Sequence, residues 1–322
     1  MKNSLTTRRP ESSSEKVNYL IRPAKQVERK LIIEMLQILS NRYPIKKYQY
    51  VGMGSLFYVD YQMVHKYLGI KSMISMEMEE EKIERYRFNK PYKFIKLIPG
   101  MSTDILPTLN WNENLFIWLD YDSKMSLSII NDIQIISNYI KPGGILIVTI
   151  DAEPKRFDNG GDMSKDMYKP KRLLNNFKKE LYPYYPLKIH EKDFSHNRYP
   201  SLLYQMIVNI IQDKLIRRNL SCYQFINFKY KDTSQMYTFG CIYDMNPNDI
   251  KGCGLYDLEY VSTNSAIIEI NVPIITPLEK IHFDKLIPEI AEKLTHFKMD
   301  QKKLNDYEKY YRYYPQYFES FL

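Results

Sequence analysis

The 322-residue sequence predicts an α/β fold: a doubly wound, seven-stranded, mostly parallel sheet, with an N-terminal helix before it and a helical, aromatic-rich extension after it. Three observations carry that expectation. Short apolar runs alternate with longer amphipathic ones between Tyr48 and Ile150. Those runs are continuously apolar, as in parallel strands covered on both faces. The first run ends in a Gly-x-Gly turn, Gly52-Met53-Gly54, and the fifth is entered through Pro142-Gly143-Gly144.

Residues 1–17 are polar, with Arg8-Arg9-Pro10 and Ser12-Ser13-Ser14, and read as a flexible tail. An amphipathic helix follows over Ala24–Leu39, where Val27, Leu31, Met35, Ile38 and Leu39 recur at helical spacing. Strands are expected at Tyr48–Val51, Ser72–Met76, Phe94–Ile98, Leu115–Leu119 and Ile145–Ile150. Helices fall between them at Val59–Leu68, Glu79–Phe88 and Leu127–Tyr139, and Gly69 stops the first of these. After a polar loop containing Asn159-Gly160-Gly161 come helices at Leu173–Leu181 and Ser201–Arg218. An antiparallel hairpin, Tyr223–Tyr230 and Met236–Tyr243, completes the sheet. The expected division is a tail (1–17), a sheet domain (18–245) and a C-terminal extension (246–322).

Composition narrows the class. At 44% hydrophobic and 26% charged residues the chain is an ordinary globular one, and wholesale disorder is excluded. The net charge of +8 admits a polyanionic partner, but it is spread over many lysines, which favours solubility over a nucleic-acid footprint. Cys222, Cys241 and Cys253 have no metal-ligand spacing and form an odd set for disulfides. With no signal-like N-terminus and no membrane-length apolar run, the expectation is a soluble, cytoplasmic protein without membrane contact.

Four segments carry candidate chemistry, each at the carboxyl end of an expected strand, where open α/β sheets bind ligands. Gly52, Gly54 and Ser55 form the first turn and allow close backbone approach to a ligand. Glu77 stands at the tip of the second strand, where a carboxylate can accept both hydroxyls of a ribose. Ser102 or Thr103 can cap a helix after the third strand, beside Asp104. Asp120 and Asp122 flank Tyr121 at the end of the fourth strand, in the place where such folds do chemistry.

The series Val51-Gly52-Met53-Gly54, Glu77, Asp104, Asp120 and Ile140-Lys141-Pro142-Gly143-Gly144-Ile145-Leu146 resembles the motifs of class I S-adenosylmethionine-dependent methyltransferases. The resemblance covers residues 48–151 by motif and 152–245 by element order. It implies S-adenosylmethionine as cofactor, with Gly52 and Gly54 at its methionine part, Glu77 at the ribose and Asp104 at the adenine. Two positions depart from the pattern: Tyr50 stands where an acidic residue is usual, and Leu56 replaces the third glycine. Asp120-Tyr121-Asp122-Ser123-Lys124, with Asp151, resembles O-methyltransferases that hold a divalent cation. That likeness implies Asp120 and Asp151 as metal ligands lowering the pKa of a substrate hydroxyl, with a lysine as base. Here too the match departs, because the family's Asn after the second aspartate is Ala152 and Lys124 lies one place late.

Outside these segments, Tyr307, Tyr310, Tyr311 and Tyr314 share one face of a C-terminal helix that Pro315 ends. With Lys309 and Arg312 they could stack on bases or dock a protein partner or second copy, but a stripe at helical spacing more often packs inward. Arg22-Pro23-Ala24-Lys25-Gln26 either closes the cofactor cleft or begins the first helix. His190 and His196 lie near the expected mouth. The function expected is methyl transfer to a hydroxyl of a small molecule or biopolymer, with Asp120 and Asp122 orienting or deprotonating the acceptor. The alternatives are a non-catalytic relative that binds a protein partner, and a nucleic-acid methyltransferase.

Overall fold

The computed structural model describes residues 22–158, 170–294 and 296–315. The expected tail at 1–17 and the Asn159-Gly160-Gly161 turn lie outside these residues.

The chain opens with helix α1 (Pro23–Leu39), whose Pro23 occupies the first turn, where a missing N–H costs nothing. Strand β1 (Gln49–Met53) then leads through the glycine turn into α2 (Val59–Leu68). Gly69 ends that helix at φ +71°, a left-handed conformation that suits glycine, and its N–H returns to the His65 carbonyl at 2.9 Å. Next come β2 (Ser72–Glu77), α3 (Ile83–Asn89), β3 (Ile95–Pro99), the single turn α4 (Ser102–Ile105) and β4 (Leu115–Asp120). Helix α5 (Leu127–Tyr139) is capped by the Ser126 hydroxyl, which accepts from the Ile129 N–H. Strand β5 (Ile145–Asp151), α6 (Pro170–Leu181), α7 (Tyr199–Leu215), β6 (Ser221–Lys231) and β7 (Gln235–Asp244) follow. The remainder holds α8 (Pro247–Lys251), β8 (Ile268–Ile270), α9 (Pro277–Asp284), α10 (Ile290–Lys293) and α11 (Gln301–Tyr310).

The sheet order is β3-β2-β1-β4-β5-β7-β6-β8. Strands β1 to β5 run parallel, and β7 enters antiparallel between β5 and β6. Its first seven strands have the class I methyltransferase arrangement. The expected count of seven becomes eight among the described residues, because Ile268–Ile270 of the C-terminal segment adds a parallel edge strand beside β6. The expected Glu79–Phe88 helix begins instead as a 3-10 turn over Glu80–Lys82.

Side-chain alternation builds one core on each face of the sheet. Leu115, Ile117 and Leu119 of β4, with Leu146, Val148 and Ile150 of β5, pack under α5, α6 and α7. Phe116, Trp118, Ile145 and Ile147 face the other way, under α1 and α2. Each large aliphatic side chain so buried contributes about 1.5–3 kcal/mol. A third cluster, Phe283, Ile290, Leu304 and Tyr307, holds the C-terminal helices together. None of the described helices is long and apolar enough to cross a membrane.

The C-terminal tyrosines pack on this chain. Tyr310 is buried and donates to the Glu269 carbonyl at 3.1 Å, and Tyr314 donates to the Pro273 carbonyl at 3.0 Å. Tyr313 and Tyr260 both donate to Glu34 on α1, and Tyr307 donates to Asp284. Tyr307, Tyr310 and Tyr314 of the expected stripe thus pack within the chain.

Candidate functional site

The carboxyl ends of β1, β2, β3 and β4 open into a cleft of about 460 Å³. Its lining includes Gly54, Ser55, Glu77, Asp120 and Asp122, so five of the expected site residues meet in one place. Gly52 lies within β1 just below the turn and is buried. Asp104 is exposed on α4 and is not part of the lining; its neighbours Met101 and Ser102 are. The helix that Ser102 or Thr103 was expected to cap starts instead from Met101, without a side-chain cap. Neither His190 nor His196 lines the cleft; His196 sits 3.3 Å from Glu153.

The glycine turn is shaped by what surrounds it. A Cβ on Gly54 would fall 1.6 Å from Glu77 Oε1 and 2.3 Å from Ser75 Oγ, so the residue must be glycine if the carboxylate is to stay where it is. A Cβ on Gly52 would meet the Tyr50 hydroxyl at 2.6 Å. Tyr50 therefore fills the space under the turn, edge-on to Tyr61 at a centroid distance of 4.9 Å. The Tyr61 hydroxyl bridges the Gly52 and Ile74 carbonyls at 2.7 and 3.0 Å. Leu56 is buried, so the missing third glycine is replaced by a packing contact. Tyr58, at φ +48°, takes the left-handed conformation uncommon for a bulky side chain, directly before α2.

Glu77 ends β2 at 4% exposure and accepts a hydrogen bond from Ser75 at 3.0 Å. Among the described residues it forms no ion pair. Burial, with Glu79 nearby, pushes its carboxyl up to about 8, against the lowering effect of the Ser75 hydroxyl.

On the other side of β1, helix α1 brings buried charges to the cleft. Lys25 Nζ lies 2.8 Å from Glu28 Oε2 and 2.9 Å from Asp120 Oδ1, over the Trp118 ring at 5.1 Å. Glu28 also accepts from Thr238, which meets Thr149 at 3.0 Å, and Thr149 accepts from Trp118 Nε1 at 3.3 Å. This polar chain crosses β4, β5 and β7. Burial alone would raise Asp120, but Lys25 and then Arg29 outweigh it, and its carboxyl is held below the usual range. Burial raises Glu28, which is fully buried. Arg29 bonds Asp60 through Nε at 2.6 Å and Nη2 at 3.3 Å.

A further carboxylate ties the cleft walls together. Asp132, buried on α5, accepts from both Ser102 and Tyr121, joining the β3 and β4 tips to one helix. Sequence reading passed over Asp132, Glu28 and Arg29. The available signal was position: Asp132 shares the apolar stripe of Ile129, Ile133 and Ile136, and Lys25, Glu28 and Arg29 recur at i, i+3 and i+4 on a helix that is otherwise core.

The family described as "Putative O-methyltransferase" matches residues 17–322. The chain belongs to this family. No curated protein matches it. Among solved structures it is similar to Trm1 from Pyrococcus horikoshii with S-adenosyl-L-methionine, at 13% identity and a TM-score of 0.46, covering 76% of this chain and 60% of that one. The N-methyltransferase NodS from Bradyrhizobium japonicum with S-adenosyl-L-homocysteine gives 10% identity and a TM-score of 0.39, covering 73% and 97%. An O-methyltransferase from Bacillus cereus, also with the homocysteine product, gives 12% and 0.36, covering 73% and 93%. This chain spans about 60% of the length of the Trm1 structure. The expected family resemblance is thus met by the family match, and the expected fold by the strand order.

The donor set does not suit the divalent cation that some O-methyltransferases hold. Asp151 is buried, but its Oδ1 accepts the Glu153 N–H at 2.8 Å and its Oδ2 pairs with Arg156 at 2.9 Å. Asp120 Oδ1 pairs with the buried Lys25 at 2.9 Å. Among the described residues no three His, Cys, Asp or Glu side chains gather as a metal site would require. Lys124, the expected base, pairs with Glu180 at 2.7 Å.

Proposed function

We propose that the protein transfers the methyl group of S-adenosylmethionine to a hydroxyl of a small molecule or biopolymer. The observation that carries the reading is the Gly54–Glu77 arrangement: a turn whose missing Cβ makes room for a buried carboxylate that has no cationic partner among the described residues. A carboxylate so placed gains most from a neutral vicinal diol, each hydroxyl donating one hydrogen bond. Gly52, Gly54 and Ser55 then pass beneath the methionine part. In this reading the adenine falls to Met78, Met101 and Ser102 on the cleft wall, rather than to Asp104.

When bound, S-adenosylmethionine would supply an electrophilic methyl group on a positively charged sulfur, with a neutral sulfide as the leaving group. The chain's own work is to hold the acceptor in line and keep water out. Asp120, kept ionised by Lys25, is a poor base and a good fixed charge, so it orients. Asp122, exposed at the rim and outside that network, is placed to take the acceptor proton.

Calorimetric titration of S-adenosylmethionine into the wild type and Glu77→Ala tests this. The expected result is micromolar binding that the variant weakens by about 10- to 100-fold. No binding to the folded wild type would overturn it. With binding shown, an Asp122→Asn variant that keeps the cofactor affinity but loses methyl transfer to hydroxylated acceptors supports the second half of the reading. Full activity in that variant removes Asp122 as base.

A further inference from the structure

One buried charge beside the cleft has no role in the reading above. Arg29, on α1, is 2% exposed and lines the cleft. Asp60 fixes two of its nitrogens, and despite burial Asp60, with help from Asp120, keeps it charged. Its Nη1 has no hydrogen-bond partner among the described residues. A desolvated guanidinium edge left unbonded is costly, and such an edge beside a cavity marks a place where an anion would be welcome.

The sheet order says which anion. Strands β2, β1 and β4 are neighbours, so Glu77, the glycine turn and Asp120 stand in a row along the cleft floor. A nucleoside whose ribose engages Glu77 sends its 5′ substituent across the glycine turn to the far end. There it meets Asp120, whose side chain is 20% exposed, and the guanidinium edge of Arg29. A carboxylate beside a guanidinium complements an α-amino acid zwitterion, the ammonium taking the first and the carboxylate the second.

We propose that Arg29 Nη1 binds the α-carboxylate of the cofactor's methionine part, with Asp120 receiving its ammonium. The assignment rests on the cofactor reading above and adds the group by which the site would tell an amino-acid-bearing nucleoside from a bare one. Asp60 acts here as a positioning residue, holding the guanidinium plane by two bonds so that the third edge stays open.

The test compares S-adenosylmethionine with its decarboxylated form, which keeps the sulfonium and the amine and lacks only the carboxylate. Both are titrated calorimetrically into the wild type, Arg29→Gln and Arg29→Lys. The wild type is expected to prefer the carboxylate form by about 10- to 100-fold. In Arg29→Gln that preference should fall to about onefold, because the decarboxylated ligand loses nothing by the change, and Arg29→Lys should restore part of it. If Arg29→Gln does not fold, the wild-type preference and the Arg29→Lys value decide. Equal wild-type affinity for the two ligands overturns the assignment. So does an Arg29→Gln variant that weakens both ligands by the same factor, which would make Arg29 a structural residue only. Failure of either ligand to bind would instead bring down the cofactor reading, and this assignment with it.

Discussion

The cleft has two carboxylates at strand ends, one on each side of β1, and they are held in opposite ways. Glu77, at the end of β2, is buried beside hydroxyl and apolar groups and is pushed up to about 8. Asp120, at the end of β4, faces a buried lysine and an arginine and is held below its usual range. The same chemical group thus serves as a proton-bearing acceptor-in-waiting on one side and as a fixed negative charge on the other. What differs is the helix behind it. Helix α1 brings Lys25 into contact with Asp120, with Glu28 and Arg29 on the same face.

Removing that helix's charge should produce the largest effect. Lys25→Met strands Asp120 and Glu28 without their cation, and breaking a buried pair from one side costs about 3–5 kcal/mol. A chemical denaturation curve should show that loss; a change under 1 kcal/mol would mean that the buried charges are not paired as described.

Gly54→Ala strikes the other side. Its Cβ cannot coexist with the Glu77 carboxylate, which must swing away. Because the obstructing atom is the end of a flexible side chain, the fold should survive with a cost of about 1–3 kcal/mol. Ligand affinity should fall at least as far as in a Glu77 variant. Unchanged affinity would remove Glu77 from the site.

The unliganded Glu77→Gln variant sharpens the contrast through pH. A carboxyl whose folded value is raised binds a proton that the unfolded chain releases, so it makes stability fall as pH rises from about 4.5 to about 8. Glutamine removes that slope. The variant should gain on the wild type across this interval, by on the order of a few kcal/mol at its upper end. Parallel stability profiles would show that Glu77 is not raised.

The smallest effect belongs far from the cleft. Tyr310→Phe deletes one hydroxyl that meets the Glu269 carbonyl of β8 and should cost about 1 kcal/mol without altering ligand binding.

The parallel half of the fold was legible because its strands are long, apolar and separated by turn residues, so β1 to β5 and the helices Val59–Leu68 and Leu127–Tyr139 could be placed by periodicity and glycine alone. Strand β8 was not: three residues, Ile268–Ile270, are too few to show a period, and their pairing is decided by a neighbour about forty residues earlier in the chain. At the cleft, the positions of Gly54 and Glu77 could be read from the sequence because a strand-end turn constrains which residue fits. Glu28 and Arg29 could not, because charge on a helix usually means solvent, and only the packed structure shows that this face of α1 lies at 0–2% exposure. Asp104 shows the opposite case. It occupies the right place in the sequence, yet the short α4 turn carries it outward.

The central claim is that Glu77 meets the ligand as a carboxylate, and the affinity for S-adenosylmethionine measured from pH 6 to 9 tests it most directly. In the wild type, hydroxyl donors need the ionised form, so affinity should climb towards pH 8 by up to about tenfold per unit and then level off, with proton release on binding near neutrality. Glu77→Gln should bind weakly and without that slope. A wild-type affinity that is flat over this range, or a slope that persists in the glutamine variant, would contradict the account.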